Sequence, residues 1–345
     1  MNVAEATASY EGWLRSQLST VLDDDLALKH RHMAEDAFSF LRATYYRWLQ
    51  RLRRDPPKLS DAPAVDAVGD LHVENFGCWL RTDGRLGWGV NDLDEPGTLP
   101  YTLDLLRLCT SAHIAVRENR LPLHTHEVCE LVLDGYRESL AAGGRPFAAD
   151  EHNRISHLAE LEPKGRTAFR TKLEALPPFT AQLPNEARAL LGADAPLRRR
   201  VAGLGSLGHL RVVALLEPDA AELKELAPPA GVWLGDRGPV ERPDGGPSCE
   251  PDPSVRVSGD WQRRRLAADG VRLELTAYPR GGERRLLHAM GFETANVHQR
   301  SDVTEVRKHA GQLEAKTLHA AVEEQVAAID HDHQAWRRAS SEKSP

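Results

Sequence analysis

Two polar side chains stand on either side of a predicted β-hairpin and could share a metal ion. Asn75 lies just before a short apolar run at 78–80, and Asp92 lies just after a second run at 86–90. Asp83-Gly84 between the runs is typical of a hairpin turn, so closing the hairpin brings Asn75 and Asp92 together. An amide oxygen and a carboxylate suit Mg²⁺ (or Mn²⁺), since Mg²⁺ normally takes one or two protein groups plus water and substrate phosphates. Asn75 and Asp92 are therefore the predicted metal ligands.

A third polar residue precedes this pair in the same loop. Asp70 lies five residues before Asn75, within the segment GDLHVENFG. This Asp-to-Asn spacing is that of the kinase catalytic loop, where the Asp accepts or orients the proton of the substrate hydroxyl and the Asn binds the metal. The spacing predicts Asp70 as the catalytic base.

Each of these residues also has a structural interpretation. Gly-Asp pairs are common in turns, an Asn before a strand often satisfies a loop, and Asp92-Leu93-Asp94 could itself be a turn. The joint spacing, with a hairpin between the proposed ligands, favours the functional interpretation.

A glycine-rich segment, GLGSLG, occurs much later in the chain. It contains Gly203, Gly205, Ser206 and Gly208 between strand-like residues 199–202 and 210–216. Glycines let a backbone approach phosphates closely, so these four residues are predicted to bind a nucleotide, although a plain glycine-rich turn has the same composition. A dinucleotide-binding fold would need a helix directly after the glycines. The strand-like sequence there favours a loop that covers phosphates, as in kinases.

Lys224 follows the last glycine by 16 residues. If the segment forms a strand, this lysine could hold the α- and β-phosphates of a nucleotide. Residues 220–226 could equally form a helical turn with Lys224 in solvent, and the preceding glycine loop favours the strand.

The elements that must position these residues are mixed. Periodic apolar residues predict a helix over Ala34 to Arg54, a buried helix over Asp104 to Val116, and a helix at about 126–142 closed by Gly143-Gly144. Strands are expected within 255–266 and at 271–278, and helices from about Glu283 onward. The predicted division is a helical segment (1–62), a metal-binding helical lobe (63–185), a β-rich nucleotide lobe (186–280) and C-terminal helices (281–345), an α+β protein.

Charge and composition exclude some partners. The formal net charge of −7 argues against nucleic acid as the main partner. The N-terminal residues lack the apolar core of a signal peptide, and no run of 18 apolar residues occurs, so a cytoplasmic protein without a membrane partner is expected.

Several segments resemble known families. GDLHVENFG, WGVNDLDEP and YTLDLLRL are similar to the catalytic part of aminoglycoside phosphotransferases and related kinase-like proteins. More specifically, the chain resembles the bacterial domain-of-unknown-function family 2252, a kinase-like family, from about residue 37 to 298. The segments that carry this resemblance are AFSFLRATYYRW, AVGDLHVENFGCW, WGVNDLDE, GLGSLG, ELKELAPPA and LLHAMGFETANVH.

The resemblance implies a two-lobed, protein-kinase-like fold with a catalytic Asp70, metal ligands Asn75 and Asp92, and Lys224 on the phosphates. The glycine loop and lysine follow the catalytic loop by more than 100 residues, whereas they precede it in ordinary kinases. The lobes would therefore be permuted, which folds tolerate when chain ends lie close together. Glu283 and Glu293 are the candidate acidic partners of Lys224.

Together these features predict transfer of a phosphoryl group from ATP to a hydroxyl of an unknown acceptor, with Mg²⁺ or Mn²⁺. Three alternatives stay open: a nucleotide-binding regulator without catalysis, a nucleotidyl transferase with the same metal centre, and a structural protein in which the Asp/Asn cluster satisfies turns.

Overall fold

The computed structural model describes residues 1–118, 122–145, 163–192, 194–236, 252–268 and 282–341. The chain is a mixed α+β protein. Its helices are α1 (Val3–Gln17), α2 (Asp23–Glu35), α3 (Ala37–Ala43), α4 (Tyr45–Arg54), α5 (Tyr101–Arg117), α6 (Thr125–Ala142), α7 (Pro163–Glu174), α8 (Asn185–Leu191), α9 (Ala230–Trp233), α10 (Glu283–His298), α11 (Thr304–Gln312) and α12 (Ala315–Ser341). Its strands are β1 (Ala64–Ala67), β2 (Phe76–Leu80), β3 (Leu86–Val90), β4 (Gly97–Pro100), β5 (Leu197–Arg199), β6 (Arg211–Ala214), β7 (Ala220–Glu225), β8 (Arg256–Ser258) and β9 (Trp261–Leu266).

The single helix predicted over Ala34 to Arg54 is wrong, because two polar residues divide it. Asp36 separates α2 from α3, and its carboxylate accepts from the Ser39 N–H at 2.6 Å, as an N-cap does. Thr44 separates α3 from α4 and donates its hydroxyl to the Phe40 carbonyl at 2.6 Å. Side chains of this kind offer the backbone alternatives to a continuous helix.

The predicted hairpin is confirmed. Strands β2 and β3 pair antiparallel, with Phe76 opposite Val90 and Leu80 opposite Leu86. Gly84 adopts φ +80° in the connecting turn, a conformation that glycine adopts without strain. Strand β1 pairs separately with β4.

Helix α5 is buried over most of its length and contributes to the main hydrophobic core, as the sequence predicts for 104–116. Helices α6 and α10 pack closely beside it. A Cβ at Gly135 would lie 1.9 Å from the His288 carbonyl oxygen, and one at Gly291 would lie 1.9 Å from the Val132 carbonyl oxygen. Both glycines are therefore required by the close approach of the two helix backbones.

The later strands form a five-stranded antiparallel sheet in the order β5-β6-β7-β9-β8. One face of this sheet packs on α8 through Val212, Leu223 and Trp261. On the other face of the sheet, Val213 and Ala220 lie at one end and pack on Leu173 of α7. These two small clusters are separate from the main core, which joins residues from the N-terminal helices, the hairpin and the C-terminal helices.

Strand prediction for the late sheet is confirmed within 255–266, where β8 and β9 lie. The strand predicted at 271–278 lies outside the described residues. Helices follow Glu283, as expected.

Among the described residues, no helix combines the length and the apolar character needed to span a bilayer.

Candidate functional site

A cavity lies where the Asp70 loop, the glycine loop and the Lys224 strand meet. Its volume is about 50 Å³. Asp70, Gly205, Ser206 and Lys224, which are up to 154 residues apart in the chain, all line it. The remaining lining residues come from the N-terminal helices and from the segments that flank these loops: Tyr10, Lys29, Arg42, Ala43, Tyr45, Tyr46, Asp94, Glu95, His209, Leu226, Ala227 and Pro228.

The backbone before Asp70 has a shape that only glycine allows. Gly69 adopts φ +85°, and a Cβ there would lie 2.0 Å from the Glu95 carbonyl oxygen and 2.9 Å from the Tyr45 hydroxyl. Positive φ favours glycine, and the close carbonyl excludes any side chain. Close packing against Glu95, just before β4, therefore fixes the backbone of the Gly69-Asp70 pair.

Asp104, in the first turn of α5, binds the backbone of the same loop just before Asp70. Its carboxylate accepts the Val68 N–H at 2.7 Å and the Gly69 N–H at 2.9 Å. Nε2 of His298 lies 3.0 Å from Asp104 Oδ2, and Nδ1 of His298 lies 2.8 Å from the Tyr136 hydroxyl. All three side chains are buried. A buried carboxylate with this many donors holds the loop in one conformation.

Asp70 pairs with a buried arginine, Arg107, that was not among the predicted site residues. Nε and Nη2 of Arg107 donate to Asp70 Oδ1 at 3.1 and 2.7 Å, and Nη2 also donates to the Leu41 carbonyl at 2.6 Å. The guanidinium lies over the rings of Tyr45 and Trp48, which holds it in place. Burial raises the pKa of Asp70, while Arg107 and, to a smaller extent, Arg42 lower it.

Asn75 and Asp92 lie side by side at the open end of the hairpin, as predicted. Oδ1 of Asn75 accepts the Asp92 N–H at 2.9 Å, and its Nδ2 donates to the carbonyls of Asp92 and Asp70 at 3.1 and 3.2 Å. The Asn75 side chain therefore links its own loop, which carries Asp70, to the segment that carries Asp92. In this arrangement its amide binds backbone, which is the structural role weighed above.

Lys224 lies on β7 and is buried, so the strand prediction is confirmed and the helical alternative is wrong. Its acidic partners are Asp94, with which it forms an ion pair, and Asp92, whose Oδ2 lies 3.5 Å from its Nζ. The prediction that Glu283 or Glu293 is the acidic partner of Lys224 is wrong. Desolvation and the neighbouring Asp94 carboxylate raise the pKa of Asp92, and Lys224 lowers it.

The glycine loop connects β5 to β6, and no helix follows it directly. Gly203 and Gly208 adopt φ +78° and +102°, so their backbone conformations favour glycine. Gly205 lies over the Asp70 loop, since a Cβ there would be 3.3 Å from the Arg42 carbonyl oxygen and 3.7 Å from Asp70 Oδ2. The Ser206 hydroxyl accepts from Nη2 of Arg211 at 2.9 Å.

The N-terminal helices hold this loop from outside. Nζ of Lys29 donates to the Gly205 carbonyl at 2.9 Å, and the Leu22 N–H donates to the Gly208 carbonyl at 3.0 Å. Burial lowers the pKa of the Lys29 ammonium, which neighbouring carboxylates oppose.

Sequence reasoning missed Arg107, Asp104 and Lys29 because their positions look ordinary. Each lies within a helix whose periodicity predicts only packing. One signal was available, because charged residues within an otherwise apolar helix such as α5 require buried partners. From the sequence alone, Asp94 was considered only as part of a possible turn, yet it forms an ion pair with Lys224.

The donor set near Asp92 fits a hard divalent cation. Asp92 and Asp94 place two carboxylates near one ammonium. Burial and then the neighbouring Asp94 carboxylate raise the pKa of Asp92. Within the described part of the chain, no three His, Cys, Asp or Glu side chains are grouped as metal ligands. Mg²⁺ does not require three, because it commonly takes one or two carboxylates plus substrate phosphates.

Comparison with protein families gives one match. Residues 22–175 match the model of a family described as an uncharacterized protein conserved in bacteria (DUF2252). The matched segment is less than half of the chain and contains Asp70, Asn75 and Asp92, whereas the glycine loop and Lys224 lie beyond it. Comparison with curated proteins and with solved structures gave no match.

Proposed function

We propose that this protein is a kinase-like phosphotransferase that moves a phosphoryl group from ATP to a hydroxyl of an acceptor, in a two-lobed arrangement with permuted lobe order. The observation that carries the proposal is the convergence of Asp70, the glycine loop and Lys224 on one cavity. In protein kinases a glycine-rich loop covers the phosphates and the lysine lies on the third strand. Here the loop joins the first two strands of the five-stranded sheet, and Lys224 lies on the third.

Asp70 serves as the catalytic base in this proposal. Arg107 holds Oδ1, while Oδ2 lies toward Gly205 and the cavity. The acceptor hydroxyl would approach Oδ2, which accepts or orients its proton. Phosphoryl transfer needs little covalent chemistry from the protein, so accurate placement of this carboxylate is its main contribution on the acceptor side.

Asn75 and Asp92, joined by Asp94, would hold Mg²⁺ or Mn²⁺. When bound, the cation neutralises charge on the transferred phosphoryl group. Lys224 now pairs with both carboxylates, so binding of a cation there would free its ammonium for the α- and β-phosphates. The amide of Asn75 would need to exchange a backbone hydrogen bond to reach the cation.

A nucleotide needs more room than the cavity offers. Sites for ligands of this size occupy roughly 300 Å³ or more, whereas the cavity holds about 50 Å³. We therefore expect the sheet to move away from the Asp70 loop when ATP binds. The polar contacts to break include the ion pairs of Lys224 with Asp92 and Asp94 and of Arg199 with Asp25, and the hydrogen bonds that the glycine loop accepts from Lys29 and from the Leu22 N–H.

A catalytically inactive nucleotide-binding regulator is the second candidate. The observation that favours it is the Asn75 amide, whose oxygen and nitrogen both bind backbone. Such a protein would bind ATP without transferring its phosphate.

The proposal is tested by phosphate release from ATP, with water in place of the acceptor hydroxyl, measured on the wild type, on Asp70→Asn and on an exposed control, Asp66→Asn. Loss of a positioned base costs about 10²- to 10⁴-fold. We expect Asp70→Asn to lose turnover by at least about 100-fold with nucleotide affinity largely kept, and Asp66→Asn to match the wild type. Turnover retained in Asp70→Asn would overturn the assignment, and ATP binding without any wild-type turnover would favour the regulator.

A further inference from the structure

The face of the five-stranded sheet that carries Lys224 also carries a group of arginines around one buried glutamate. Oε1 of Glu222 accepts from Arg211 at 2.7 Å and from Arg264 at 3.0 Å. Arg200 forms an ion pair with the same carboxylate. Three guanidinium groups therefore share one carboxylate, and neither the sequence motifs nor the proposed reaction uses them.

Strand register places this group beside the proposed metal site. Glu222 on β7 lies opposite Arg264 on β9, and Lys224, two residues along, lies opposite Arg211 on β6. Residues two apart on a strand point to the same face. The arginines and Lys224 thus share the face that meets Asp92.

The positive charge of this group exceeds its negative charge. Three arginines carry three positive charges against the single charge of Glu222. The side chains of Arg200 and Arg264 are 26% and 16% exposed, whereas those of Arg211 and Glu222 are nearly buried. The two outer arginines are therefore accessible from solvent while the inner pair is closed.

Arg200 and Arg264 also have N–H donors that are not used in hydrogen bonds to Glu222. Within the described residues, Arg264 donates only through Nε, and Arg200 only through Nη1, in both cases to Glu222. Each guanidinium carries five N–H donors in a planar fork that matches the oxygens of a phosphate. The remaining donors of both side chains have no protein acceptor in the described part of the chain.

We propose that Arg200 and Arg264 form a phosphate-binding site next to Asp92 and Lys224. This inference rests on the proposed function for its ligand class, because it assigns these arginines to a phosphate group of a substrate at the same centre. The phosphate belongs either to the polyphosphate tail of the nucleotide or to an acceptor that is itself phosphorylated. In both cases the recognised chemistry is a phosphate dianion or phosphate ester.

The electrostatics agree with this geometry. Burial lowers the pKa of the Arg200 guanidinium, and the positive charges of Arg264 and Arg211 lower it further. The Glu222 carboxylate makes the largest contribution to raising the pKa of Arg264, and the carboxylates of Asp92 and Asp94 raise it further. Once a cation neutralises those two aspartates, the arginines require another anion, which a phosphate supplies.

Metal-free titration calorimetry with tripolyphosphate and with inorganic phosphate tests the site. The variants are Arg264→Gln and Arg200→Gln, and the matched control is Arg265→Gln, the next residue on the same strand, which points to the other face and pairs with Asp219. Charge-assisted hydrogen bonds are strong, so we expect each site variant to weaken tripolyphosphate binding about tenfold or more, with the control close to the wild type. Unchanged binding in folded Arg264→Gln and Arg200→Gln would overturn the inference.

A second variant, Glu222→Gln, should change phosphate affinity in the opposite direction. Glu222→Gln removes the carboxylate that competes for the guanidinium groups, so phosphate should bind several-fold tighter, roughly in line with one lost charge. A purely structural arginine-glutamate network predicts no gain. A folded Glu222→Gln protein that binds phosphate no better than the wild type would count against the site.

Parallel titrations with Mg²⁺-ATP separate this inference from the proposed function. Tripolyphosphate binding that depends on Arg264, in a protein that does not bind ATP, would support the arginine site and reject the nucleotide site. ATP binding that depends on Asp92 but not on Arg264 or Arg200 would support the nucleotide site and reject the arginine site. If ATP displaces inorganic phosphate, the nucleotide is the source of the phosphate; if both bind together, a phosphorylated acceptor is.

Discussion

The two sides of the cavity are built differently. Asp70 lies against the main hydrophobic core, where Asp104, His298 and Arg107 hold its loop through buried hydrogen bonds. Lys224 and the glycine loop belong to a sheet with its own small hydrophobic clusters. That sheet meets the Asp70 side at polar contacts, among them the ion pairs of Lys224 and of Arg199 and the Lys29 hydrogen bond to Gly205. Leu204 of the glycine loop also packs on the main core.

This difference suggests a division of labour. Packed cores hold side chains in one arrangement, whereas ion pairs and single hydrogen bonds can be exchanged for contacts to a ligand. In the proposed reaction, this contrast would place the base accurately and would let the phosphate-binding side separate to admit a nucleotide. The following predictions test this contrast, beginning with the largest expected effect.

The rigid side should not tolerate a methyl group at Gly69. Gly69→Ala combines a positive φ with a Cβ placed 2.0 Å from the Glu95 carbonyl oxygen. We expect a loss of unfolding free energy of roughly 3–5 kcal/mol, from backbone strain plus overpacking, and a loss of turnover because Asp70 is displaced. Urea denaturation measures the first effect.

Gly84→Ala is the matched control for that variant. Gly84 has nearly the same φ, +80°, but a Cβ there would meet nothing within 4 Å. Only the left-handed strain applies, about 1–2 kcal/mol. Equal losses in the two variants would show that close packing of the Asp70 loop is not what Gly69 provides.

The polar side should respond to a cation when its lysine is removed. Lys224→Met leaves Asp92 and Asp94 without their ammonium, and we expect a loss of roughly 1–3 kcal/mol at neutral pH, reduced from the value for fully buried pairs because both carboxylates are partly exposed. Mg²⁺ should restore stability in this variant more than it stabilises the wild type, as thermal melting with and without Mg²⁺ would record.

Lys308→Met serves as the control for this variant, since Lys308 pairs with Glu305 on the surface. We expect it to change stability by less than about 0.5 kcal/mol, with or without metal. If Mg²⁺ has the same effect on Lys224→Met as on Lys308→Met, Asp92 and Asp94 do not bind the cation.

Arg107 should set the pH at which the base becomes active. Burial raises the pKa of Asp70 and Arg107 lowers it, so removing the guanidinium raises this pKa further. A base must be deprotonated, and kcat/KM therefore rises with pH through the Asp70 pKa. In Arg107→Gln this rise should move to higher pH, and Arg42→Gln should move it less, because Arg42 contributes less. A pH profile of phosphate release in which neither variant shifts the acid limb would contradict this role.

His209 should affect stability only at acidic pH. Burial, and then the charge of Lys224, lower the pKa of His209 from 6.5 to about 3. The unfolded chain then binds more protons than the folded protein between these values, so stability falls as pH drops below about 6.5. The slope from one group is at most about 1.4 kcal/mol per pH unit.

His209→Asn should flatten this dependence between pH 4.5 and 6.5, while the exposed control His126→Asn should leave it unchanged. Denaturation midpoints measured across this range would reveal the difference. A wild-type slope that survives in His209→Asn would assign the effect to other groups.

The sequence predicts the parts of the site that depend on local pattern. Asp83-Gly84 and its flanking apolar runs predicted the hairpin, and the hairpin brought Asn75 and Asp92 together. The strand nature of residues after the glycines correctly excluded a following helix. Periodicity correctly located α5 as a buried helix, since its apolar residues extend around the whole helix.

Contacts between distant segments were beyond this reasoning. The link from Arg107 to Asp70 spans 37 residues, and the link from Lys224 to Asp94 spans 130. Neither follows from local spacing, and so the acidic partner of Lys224 was sought in α10 instead of beside Asp92. The break of the 34–54 helix at Thr44 was missed because apolar periodicity continued across it, while its hydroxyl bonded the backbone.

Titration calorimetry of ATP, with and without Mg²⁺, tests the central claim most directly. The proteins are the wild type, Asp92→Ala and the exposed control Asp66→Ala. We predict binding that requires Mg²⁺ in the wild type and in Asp66→Ala, and that is lost in Asp92→Ala. Absence of binding in all three proteins, or Mg²⁺-dependent binding that survives in Asp92→Ala, would contradict the proposed nucleotide and metal site.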